Sequence, residues 1–224
     1  MNGIVLFSKL DRFSQAAAHI ARTVLGEDVV VVTGRAGDPL PEAVGSLTAR
    51  VILSFLSPWI VPQALVRRAQ IALNWHPASR GYPGIGCYNF ALYEEAREYG
   101  AVCHYMTEKV DSGAIVEERR FPVFASDSVE TLKLRTMVTM LSMFHDTICL
   151  MASGATPQPS DLSWSRKPFT RKELNALAVI VPSMSADEIR RRVRAMTYPG
   201  YPGARVEIGG QAFFYPVPAR EPLA

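Results

Sequence analysis

Several features that would assign the chain to a special class are missing from its sequence. It contains no apolar run of about eighteen residues or more, so no transmembrane helix is predicted. The N-terminal stretch GIVLFS lacks the basic region and the long apolar segment of an export signal. No internal repeat and no low-complexity tract occur. We therefore expect a soluble, unexported, cytoplasmic protein without a membrane partner.

The chain also has few cysteines and a small net charge. The three cysteines, Cys87, Cys103 and Cys149, form no CxxC pair, which argues against a disulfide framework or a zinc knuckle and fits a reducing cytosol. Lysine and arginine number 24 and aspartate and glutamate 21, which leaves a net charge of +3. This excess is too small to indicate nucleic-acid binding by bulk electrostatics. The arginines between positions 190 and 194 are predicted to form a solvated helix face.

The chain does have enough apolar residues for a substantial core. Of its 224 residues, 48% are hydrophobic, which supports one main domain with a small appended lobe. Short apolar runs alternate with helical spacings and loops in the first third of the chain, a rhythm typical of a parallel α/β sheet. The runs predicted as strands are residues 3–7, 29–33, 50–55 and 71–75.

The middle of the chain is predicted to contain a helix, two strands and a long helix. The first helix, near Phe90, is expected to end at Gly100, and strands 101–108 and 114–123 flank a VDSG turn. Residues 128–152 show the longest helical pattern. Its apolar stripe, expected to be core packing, consists of Leu132, Met137, Val138, Leu141, Phe144 and Ile148.

The last part of the chain differs in character from the rest. From Gly154 it is polar and punctuated by proline, as a surface connection would be, before a helix near Ser185 and a hairpin signal around two glycines. We therefore divide the chain into a core, residues 1–153, and a C-terminal extension, residues 154–224. Candidates for a homodimer contact are the apolar hairpin residues Phe213, Phe214 and Tyr215.

The end of the fourth predicted strand carries the most informative polar residues. Asn74 and His76 are one residue apart, so their side chains point to one face of the strand while Trp75 points to the other. Ligands of open α/β sheets bind beyond the carboxyl ends of the strands. An amide donor beside an imidazole suits acyl transfer, because asparagine can stabilise an oxyanion and histidine can stabilise that anion or move a proton.

Asp111 is the candidate for the third polar group of this site. Its carboxylate can orient the imidazole or relay a proton from an attacking amine. No serine or cysteine is evidently activated as a nucleophile, so direct attack by a substrate amine is favoured. His104 is expected to be a supporting residue that approaches Asp111.

The segments NWHPASRGYPGIG, GAVCHYM and KVDSGAIV resemble the signature of the folate-dependent formyltransferases, strongly over residues 50–120 and weakly elsewhere. The resemblance implies a Rossmann-like α/β formyltransferase core with a mostly parallel sheet, followed by a short C-terminal helix and β-hairpin. It also implies Asn74, His76 and Asp111 as the catalytic residues and 10-formyltetrahydrofolate as the formyl donor. Cys103 departs from the threonine that is usual in the family.

A further segment, LSFLSPWIVP, is similar to the family segment whose backbone lines the pterin pocket. The folate-site candidates that follow from this likeness are Phe55, Leu56, Ser57, Trp59 and Ile60. For Trp59, plain core packing is an equal alternative.

The resemblance also narrows the choice of substrate that accepts the formyl group. The loop SKLDRFS lacks the glycine-rich phosphate cradle of glycinamide ribonucleotide formyltransferase, which argues against purine synthesis. The methionyl-tRNA enzymes carry a C-terminal barrel, whereas about seventy residues follow Gly154 here. The segments YPGIGCYNFALY and RAMTYPGYPGARVEIGGQAFFYPV are most similar to the sugar-nucleotide N-formyltransferases.

This subgroup implies an amino-deoxysugar linked to a nucleoside diphosphate as the acceptor. Candidates for contacts with its sugar or diphosphate are Ser8, Lys9, Arg12, Arg80, Tyr82 and Tyr88. Residues 80–86 are predicted to form the wall between folate and acceptor.

Other classes of function are kept as alternatives. A methionyl-tRNA formyltransferase-like enzyme, or a hydrolase that deformylates the same folate with water, would use the same three polar residues. A zinc-dependent hydrolase would need ligands such as His76, His104, Asp111 and a cysteine, Cys87 or Cys103, but their spacing has no zinc signature and no metal is expected. A folate-binding or interaction module without catalysis is the last alternative.

Overall fold

Within residues 3–217, which the computed structural model describes, the strands form two separate sheets. The elements of the larger sheet and its helices are β1 (Ile4–Lys9), α1 (Arg12–Leu25), β2 (Val30–Gly34), β3 (Val51–Phe55), α2 (Gln63–Val66), β4 (Ile71–His76), α3 (Cys87–Tyr93), β5 (Glu98–Tyr105), β6 (Ile115–Pro122) and α4 (Val129–Ala152). A 3₁₀ turn spans Glu42–Ser46. The elements that follow are α5 (Arg171–Leu177), β7 (Val179–Ile180), α6 (Ala186–Met196), β8 (Arg205–Ile208) and β9 (Gln211–Phe214).

The central sheet has six strands in the order β2-β1-β3-β4-β5-β6. β1 to β4 run parallel to one another, whereas β5 is antiparallel to β4 and β6 is antiparallel to β5. All five residues of β3 are buried, because a parallel strand inside a sheet has both faces covered. The predicted α/β class with a mostly parallel sheet is confirmed.

Helix α4 covers one face of this sheet. Its Phe144 ring packs edge-on against Trp75 at 4.7 Å and Phe55 at 5.3 Å between centroids. Most of the predicted apolar stripe lies in this core, but Val138 is 57% exposed. It directly follows Met137, which is buried, and adjacent helical residues point about 100° apart. No helix within residues 3–217 is long and apolar enough to cross a membrane.

The predicted end of the helix near Phe90 is wrong. Helix α3 ends at Tyr93, and Gly100 lies inside strand β5. A Cβ atom at Gly100 would lie 1.9 Å from the carbonyl oxygen of Arg119 on β6. Glycine is therefore present to let two strands approach closely and not to end a helix.

The second sheet has the order β7-β8-β9, and its β8–β9 hairpin turns at Gly209 and Gly210 as predicted. Helix α6, which precedes it, begins at Ala186 with Ser185 as its N-cap, close to the predicted start near Ser185. The division of the chain at residue 153 stays a prediction.

The arginines of α6 are only partly a solvated face. Arg192 Nη1 donates to the carbonyl oxygens of Ala176, Leu177 and Val179 at 2.9 to 3.1 Å. Arg194 donates to the carbonyl oxygen of Asp127 in the same way. These two side chains satisfy backbone oxygens at the end of α5 and before α4. The predicted solvated face therefore describes the exposed Arg190 better than Arg192 and Arg194.

Candidate active site

The amide of Asn74, near the end of β4, is held by a neighbouring histidine. In the antiparallel register of β4 and β5, Asn74 is opposite His104, and its Nδ2 atom is 3.0 Å from His104 Nε2. His104 Nδ1 donates to the carbonyl oxygen of Tyr105 at 2.8 Å, which leaves Nε2 as the acceptor for the amide. The second N–H of Asn74 remains for a ligand in the cavity that Asn74 lines.

His76 and Asp111 form a buried pair. His76 Nδ1 lies 3.3 Å from Asp111 Oδ2, and both side chains are 6% exposed. His104 Nε2 lies 3.5 Å from Asp111 Oδ1, so the carboxylate sits between two imidazoles. Burial, the largest influence, lowers the pKa of His76 below its ordinary value of 6.5, although Asp111 and the Tyr82 carbonyl oppose this change. His76 is therefore neutral at pH 7.

Asp111 is ionised at neutral pH. Burial alone would raise the pKa of its carboxyl group, but His76, His104 and the amide of Gly84 outweigh burial and lower this pKa to about 2. The Gly84 N–H donates to Asp111 Oδ2 at 2.8 Å. The backbone φ of Asp111 is 45°, a strained value for a residue with a side chain. The KVDSG turn thus holds a permanent negative charge at the strand ends.

The loop of residues 79–86 covers this buried pair. Besides the Gly84 amide, the carbonyl oxygen of Tyr82 contacts the pair, 3.1 Å from His76 Nε2. Gly84 has a φ of +88°, and a Cβ atom there would lie 2.4 Å from the carbonyl oxygen of Phe169. Both ring nitrogens of His76 therefore face oxygen atoms of the protein, one on Asp111 and one on this loop.

A cavity of about 480 Å³ opens in front of Asn74 and His76. Four of the five folate-site candidates line it, namely Leu56, Ser57, Trp59 and Ile60. Phe55 does not, because strand side chains alternate and its ring is fully buried against Phe144 behind the sheet. Phe55 is a core residue, whereas Trp59 is a cavity residue whose indole N–H donates to the Asp38 carbonyl oxygen at 2.8 Å.

A second cavity of about 590 Å³ adjoins the first, since Lys9, Leu56 and Pro77 line both. Among the described residues, no aspartate or glutamate lines this second cavity. Its cationic side chains are Lys9, Lys133, Arg171 and Arg205. Two tyrosines on its wall, Tyr198 and Tyr201, stack with ring centroids 5.0 Å apart.

Of the predicted acceptor contacts, the structure places Lys9 and Tyr88 on the second cavity. Ser8 is fully buried and lines neither cavity, because the side chain before Lys9 points to the opposite face of β1. Arg12 begins α1 and faces solvent, with its guanidinium 5.0 Å from the ring centre of Phe13. Ser8 and Arg12 are therefore corrected to structural and surface positions.

Arg80 and Tyr82 also lie outside both cavities. Arg80 is held by the buried carboxylate of Glu118, which accepts its backbone N–H at 2.9 Å and lies 3.4 Å from Nε. The ring of Tyr82 is stacked on Phe169. None of residues 80–86 lines the first cavity, whereas Ile85 and Gly86 line the second. The predicted wall between folate and acceptor stays a prediction.

Trp164 is a neighbour of the site that the sequence did not point to. Its ring centroid is 5.9 Å from that of His76 and 5.2 Å from that of His104, edge-to-face in both cases. No local pattern singles out this residue, because it follows α4 in a segment without regular structure and meets the histidines only in the folded chain. Its surroundings were predicted to be a surface connection.

The cysteines do not complete a metal site at this position. Cys103 lies in the core cluster behind the sheet, and Cys87 Sγ faces the carbonyl oxygen of Pro77 at 3.7 Å. Burial raises the pKa of the Cys87 thiol to about 11, so it is protonated and a poor nucleophile. Among residues 3–217, no three His, Cys, Asp or Glu side chains are placed to hold a metal ion.

The chain is similar in sequence to known proteins. Residues 12–147 match the family described as Formyl transferase. The chain is 26% identical over 168 residues to the GDP-perosamine N-formyltransferase of Brucella melitensis, which covers 74% of this chain and 64% of that protein. It is 33% identical over 87 residues to the phosphoribosylglycinamide formyltransferase of Haemophilus influenzae, which covers 38% and 41% respectively. The chain thus spans less than two thirds of the length of these relatives.

The fold is also similar to a solved structure with ligands. The N-formyltransferase of Helicobacter canadensis, in complex with folinic acid and dTDP-3-aminofucose, superposes with a TM-score of 0.73 at 16% identity. The alignment covers 94% of this chain and 85% of that chain. At this identity the likeness shows the fold and leaves the ligands of this chain to be argued from its own cavities.

Proposed function

The chain belongs to the formyl transferase family, and from this we propose that it transfers the formyl group of 10-formyltetrahydrofolate to the amine of an amino-deoxysugar linked to a nucleoside diphosphate. The observation that carries the proposal is the pair of adjoining cavities at the Asn74, His76 and Asp111 centre. One cavity contains this centre, and the other has four cationic side chains and no carboxylate among its described lining residues.

The first cavity suits the folate. Its volume of about 480 Å³ is in the range of small-molecule sites. Leu56, Trp59 and Ile60 offer apolar surface for a flat pterin ring, and the backbone between Ser57 and Val61 offers polar groups for its edge. The Helicobacter structure contains folinic acid, a formylated folate, which supports a ligand of this class.

The second cavity suits a sugar nucleotide. Lys133 and Arg171, which line it, are our candidates for binding the diphosphate, since phosphate groups prefer guanidinium and ammonium donors. The stacked ring of Tyr201, 60% exposed, offers a surface for a planar base. The sugar would then point to Lys9 and Pro77, where the two cavities meet. The dTDP-sugar of the Helicobacter structure and the GDP-perosamine relative support an acceptor of this class.

The chemistry then follows from the polar centre. The neutral amine attacks the formyl carbon, and the Asn74 N–H not engaged with His104 stabilises the oxyanion that forms. Asp111 accepts the proton released by the amine and shares it with His76 Nδ1 at 3.3 Å. As the carbon–nitrogen bond to the folate breaks, this proton passes to the leaving nitrogen. Because both ring nitrogens of His76 face protein oxygens, we assign His76 to the proton relay and Asn74 to the oxyanion.

A panel of acceptors tests the proposal. The protein is incubated with 10-formyltetrahydrofolate and, separately, with amino-sugar nucleotides, glycinamide ribonucleotide, methionyl-tRNA or no acceptor. We expect a formylated amino-sugar nucleotide, detected by mass spectrometry. If only glycinamide ribonucleotide or only methionyl-tRNA were formylated, the proposal of an amino-sugar nucleotide as the acceptor would be contradicted. Full-rate formate release without an amine would replace transfer by hydrolysis, and activity that vanishes on chelation would point to a metal-dependent hydrolase.

A further inference from the structure

A hydrogen bond of the indole holds Trp164 beside the Asn74, His76 and Asp111 centre. Its indole N–H donates to the carbonyl oxygen of Gly113 at 2.8 Å, two residues after Asp111. The ring meets His104 at an interplanar angle of 84° and His76 at 70°, so one aromatic side chain covers both imidazoles. It lies outside the part of the chain that matches the family, residues 12–147.

The segment that carries Trp164 is attached to the core on both sides of the ring. Upstream, the Ser160 N–H donates to the carbonyl oxygen of Ile115 at 2.7 Å. Downstream, the Ser165 N–H donates to the carbonyl oxygen of Arg80 at 3.2 Å, and Arg80 Nη1 donates to the carbonyl oxygen of Ser163 at 3.1 Å. The position of the indole is therefore set by the backbone of the core and of the loop of residues 79–86.

Trp164 packs against two histidines of the first cavity without being part of the cavity wall. It lines neither cavity, whereas His76 and His104 both line the first. The two imidazoles are 6% and 3% exposed, and the indole that packs on both of them is half-buried. Because the bound folate would fill the first cavity, removal of the indole would leave a second entry for water to the two imidazoles and the carboxylate between them.

We propose that Trp164 is a positioning residue that keeps water from the His76, His104 and Asp111 cluster, so that the formyl group passes to an amine and not to water. This inference rests on the proposed formyl transfer. Its chemical basis is that Asp111 can deprotonate a water molecule as well as an amine.

The competing hydrolysis uses the same proton path. The water oxygen bonds to the formyl carbon while one water proton passes to Asp111. The bond between the formyl carbon and the folate nitrogen then breaks, and that nitrogen takes the proton from Asp111. Formic acid leaves and loses its remaining acidic proton to solvent as formate. No redox partner is needed, so access of water decides how much of the donor is lost.

The test measures the ratio of formate to formylated amino-sugar nucleotide. Trp164→Ala is expected to raise this ratio about ten-fold or more, because water then competes with the amine at the same carbon. Trp164→Phe keeps an aromatic ring and is expected to stay within about three-fold of the original ratio. Phe213→Ala removes an exposed aromatic side chain that, like Trp164, lines neither cavity, and no change is expected. A ratio unchanged in Trp164→Ala would overturn the proposal.

A smaller change keeps the test decisive if the alanine variant does not fold. Trp164→Leu fills part of the same space, and an intermediate ratio is expected. A folded leucine variant with the original ratio would contradict water exclusion by the indole. The proposal would also be contradicted if Trp164→Phe and Trp164→Leu gave equally high ratios, because an aromatic ring would then exclude water no better than an aliphatic side chain.

An NMR titration separates this inference from the proposed function, since it needs no substrate. The charged or titratable groups that face His76 are Asp111 and His104, and burial is what keeps its pKa low. Water at the site of the lost indole is expected to raise the pKa of His76 in Trp164→Ala and to leave it unchanged in Phe213→Ala. An unchanged pKa in Trp164→Ala would overturn the inference even if formyl transfer is observed. A raised pKa in a protein that formylates no acceptor would instead reject only the proposed function.

Discussion

Asn74 and His104 are paired across β4 and β5, with the Asn74 amide nitrogen 3.0 Å from His104 Nε2. Because His104 Nδ1 is bound to the Tyr105 carbonyl oxygen, the pairing fixes both the tautomer of the histidine and the direction of the amide. A donor held in this way needs no reorganisation when negative charge develops on the substrate. His104 is thus a partner of the proposed oxyanion donor and not only a neighbour of Asp111.

Replacement of Asn74 by alanine is expected to lower kcat by roughly two to three decades, equivalent to about 2.7 to 4 kcal/mol in the barrier. The amide interacts most strongly with the oxyanion, so the dissociation constant for the folate is expected to change little. Steady-state rates and folate binding by calorimetry check both statements. Gln158→Ala is the control, because Gln158 is exposed and lines neither cavity. Wild-type turnover in Asn74→Ala would contradict the assignment of Asn74 to oxyanion stabilisation.

Asp111→Asn keeps the size of the side chain but removes its charge. The variant is expected to lose formyl transfer by about 10² to 10⁴-fold, the usual contribution of a positioned acid or base. Folate binding is expected to persist, because the first cavity keeps its apolar wall. Single-turnover rates with saturating donor give the loss in the chemical step. A variant that turns over as fast as the original protein would show that the proton takes another route.

Much of this arrangement follows from local patterns in the sequence. Apolar strands with Asn74 and His76 on one face are recognisable because strand side chains alternate, and the Asp111 turn is recognisable from its motif. These patterns predict the sheet, its carboxyl edge and the three polar residues that the structure brings together there. The failure at Gly100 has a local origin too, since a glycine that allows close strand packing resembles one that ends a helix.

Contacts between distant segments were not predictable in the same way. The partner of Asn74 depends on the antiparallel register of β4 and β5. The engagement of Arg80 by Glu118 depends on where the loop of residues 79–86 meets β6. Trp164 reaches the histidines only because its segment folds back over the core. Each of these contacts is decided by tertiary packing, on which short-range periodicity carries no information.

The buried Asp111 and His76 predict a loss of stability in acid. The pKa of Asp111 is about 2, against 3.8 ordinarily, so its charge stabilises the fold above about pH 4, and this contribution is lost as the pH falls from 4 towards 2. It amounts to roughly 2 kcal/mol. The pKa of His76 is lowered from 6.5, so it also contributes stability above that pH and loses it on acidification.

Urea unfolding at about pH 5 and about pH 3 measures this dependence. The free energy of unfolding is expected to fall more between these values in the original protein than in Asp111→Asn. Asp161→Asn, at an exposed aspartate, is expected to behave as the original protein does. An identical acid dependence in Asp111→Asn would mean that other groups control acid unfolding.

The second cavity predicts a difference between two adjacent basic residues of α5. Arg171 lines the cavity and Lys172 does not. Arg171→Ala is expected to raise KM for the sugar nucleotide roughly ten-fold, since a charge-assisted hydrogen bond contributes about 1.5 to 3 kcal/mol. Lys172→Ala carries the same change in net charge and is expected to leave KM unaltered. Equal effects of the two substitutions would indicate general electrostatic attraction and would contradict a diphosphate held in this cavity.

Gly84 and Gly81 lie in the same loop but differ in the space around them. A Cβ atom at Gly84 would lie 2.4 Å from the Phe169 carbonyl oxygen, and its φ of +88° is unfavourable for alanine, whereas a Cβ atom at Gly81 meets only Ser165 Oγ at 3.6 Å. Gly84→Ala is therefore expected to displace the loop, lengthen the 2.8 Å contact of the Gly84 amide with Asp111 and raise the pKa of this carboxyl group.

The consequence of Gly84→Ala is expected in catalysis and in stability together. The lower limit of the pH–rate profile should move to higher pH, and the free energy of unfolding should fall by about 1 to 3 kcal/mol, the usual cost of such backbone strain. Gly81→Ala is expected to change neither quantity. If Gly84→Ala only lowered stability and left the pH–rate profile in place, the loop would be a structural cover whose amide does not tune Asp111. A shifted profile would show that the charge of the proposed proton acceptor is set partly by a loop from the opposite side of the site.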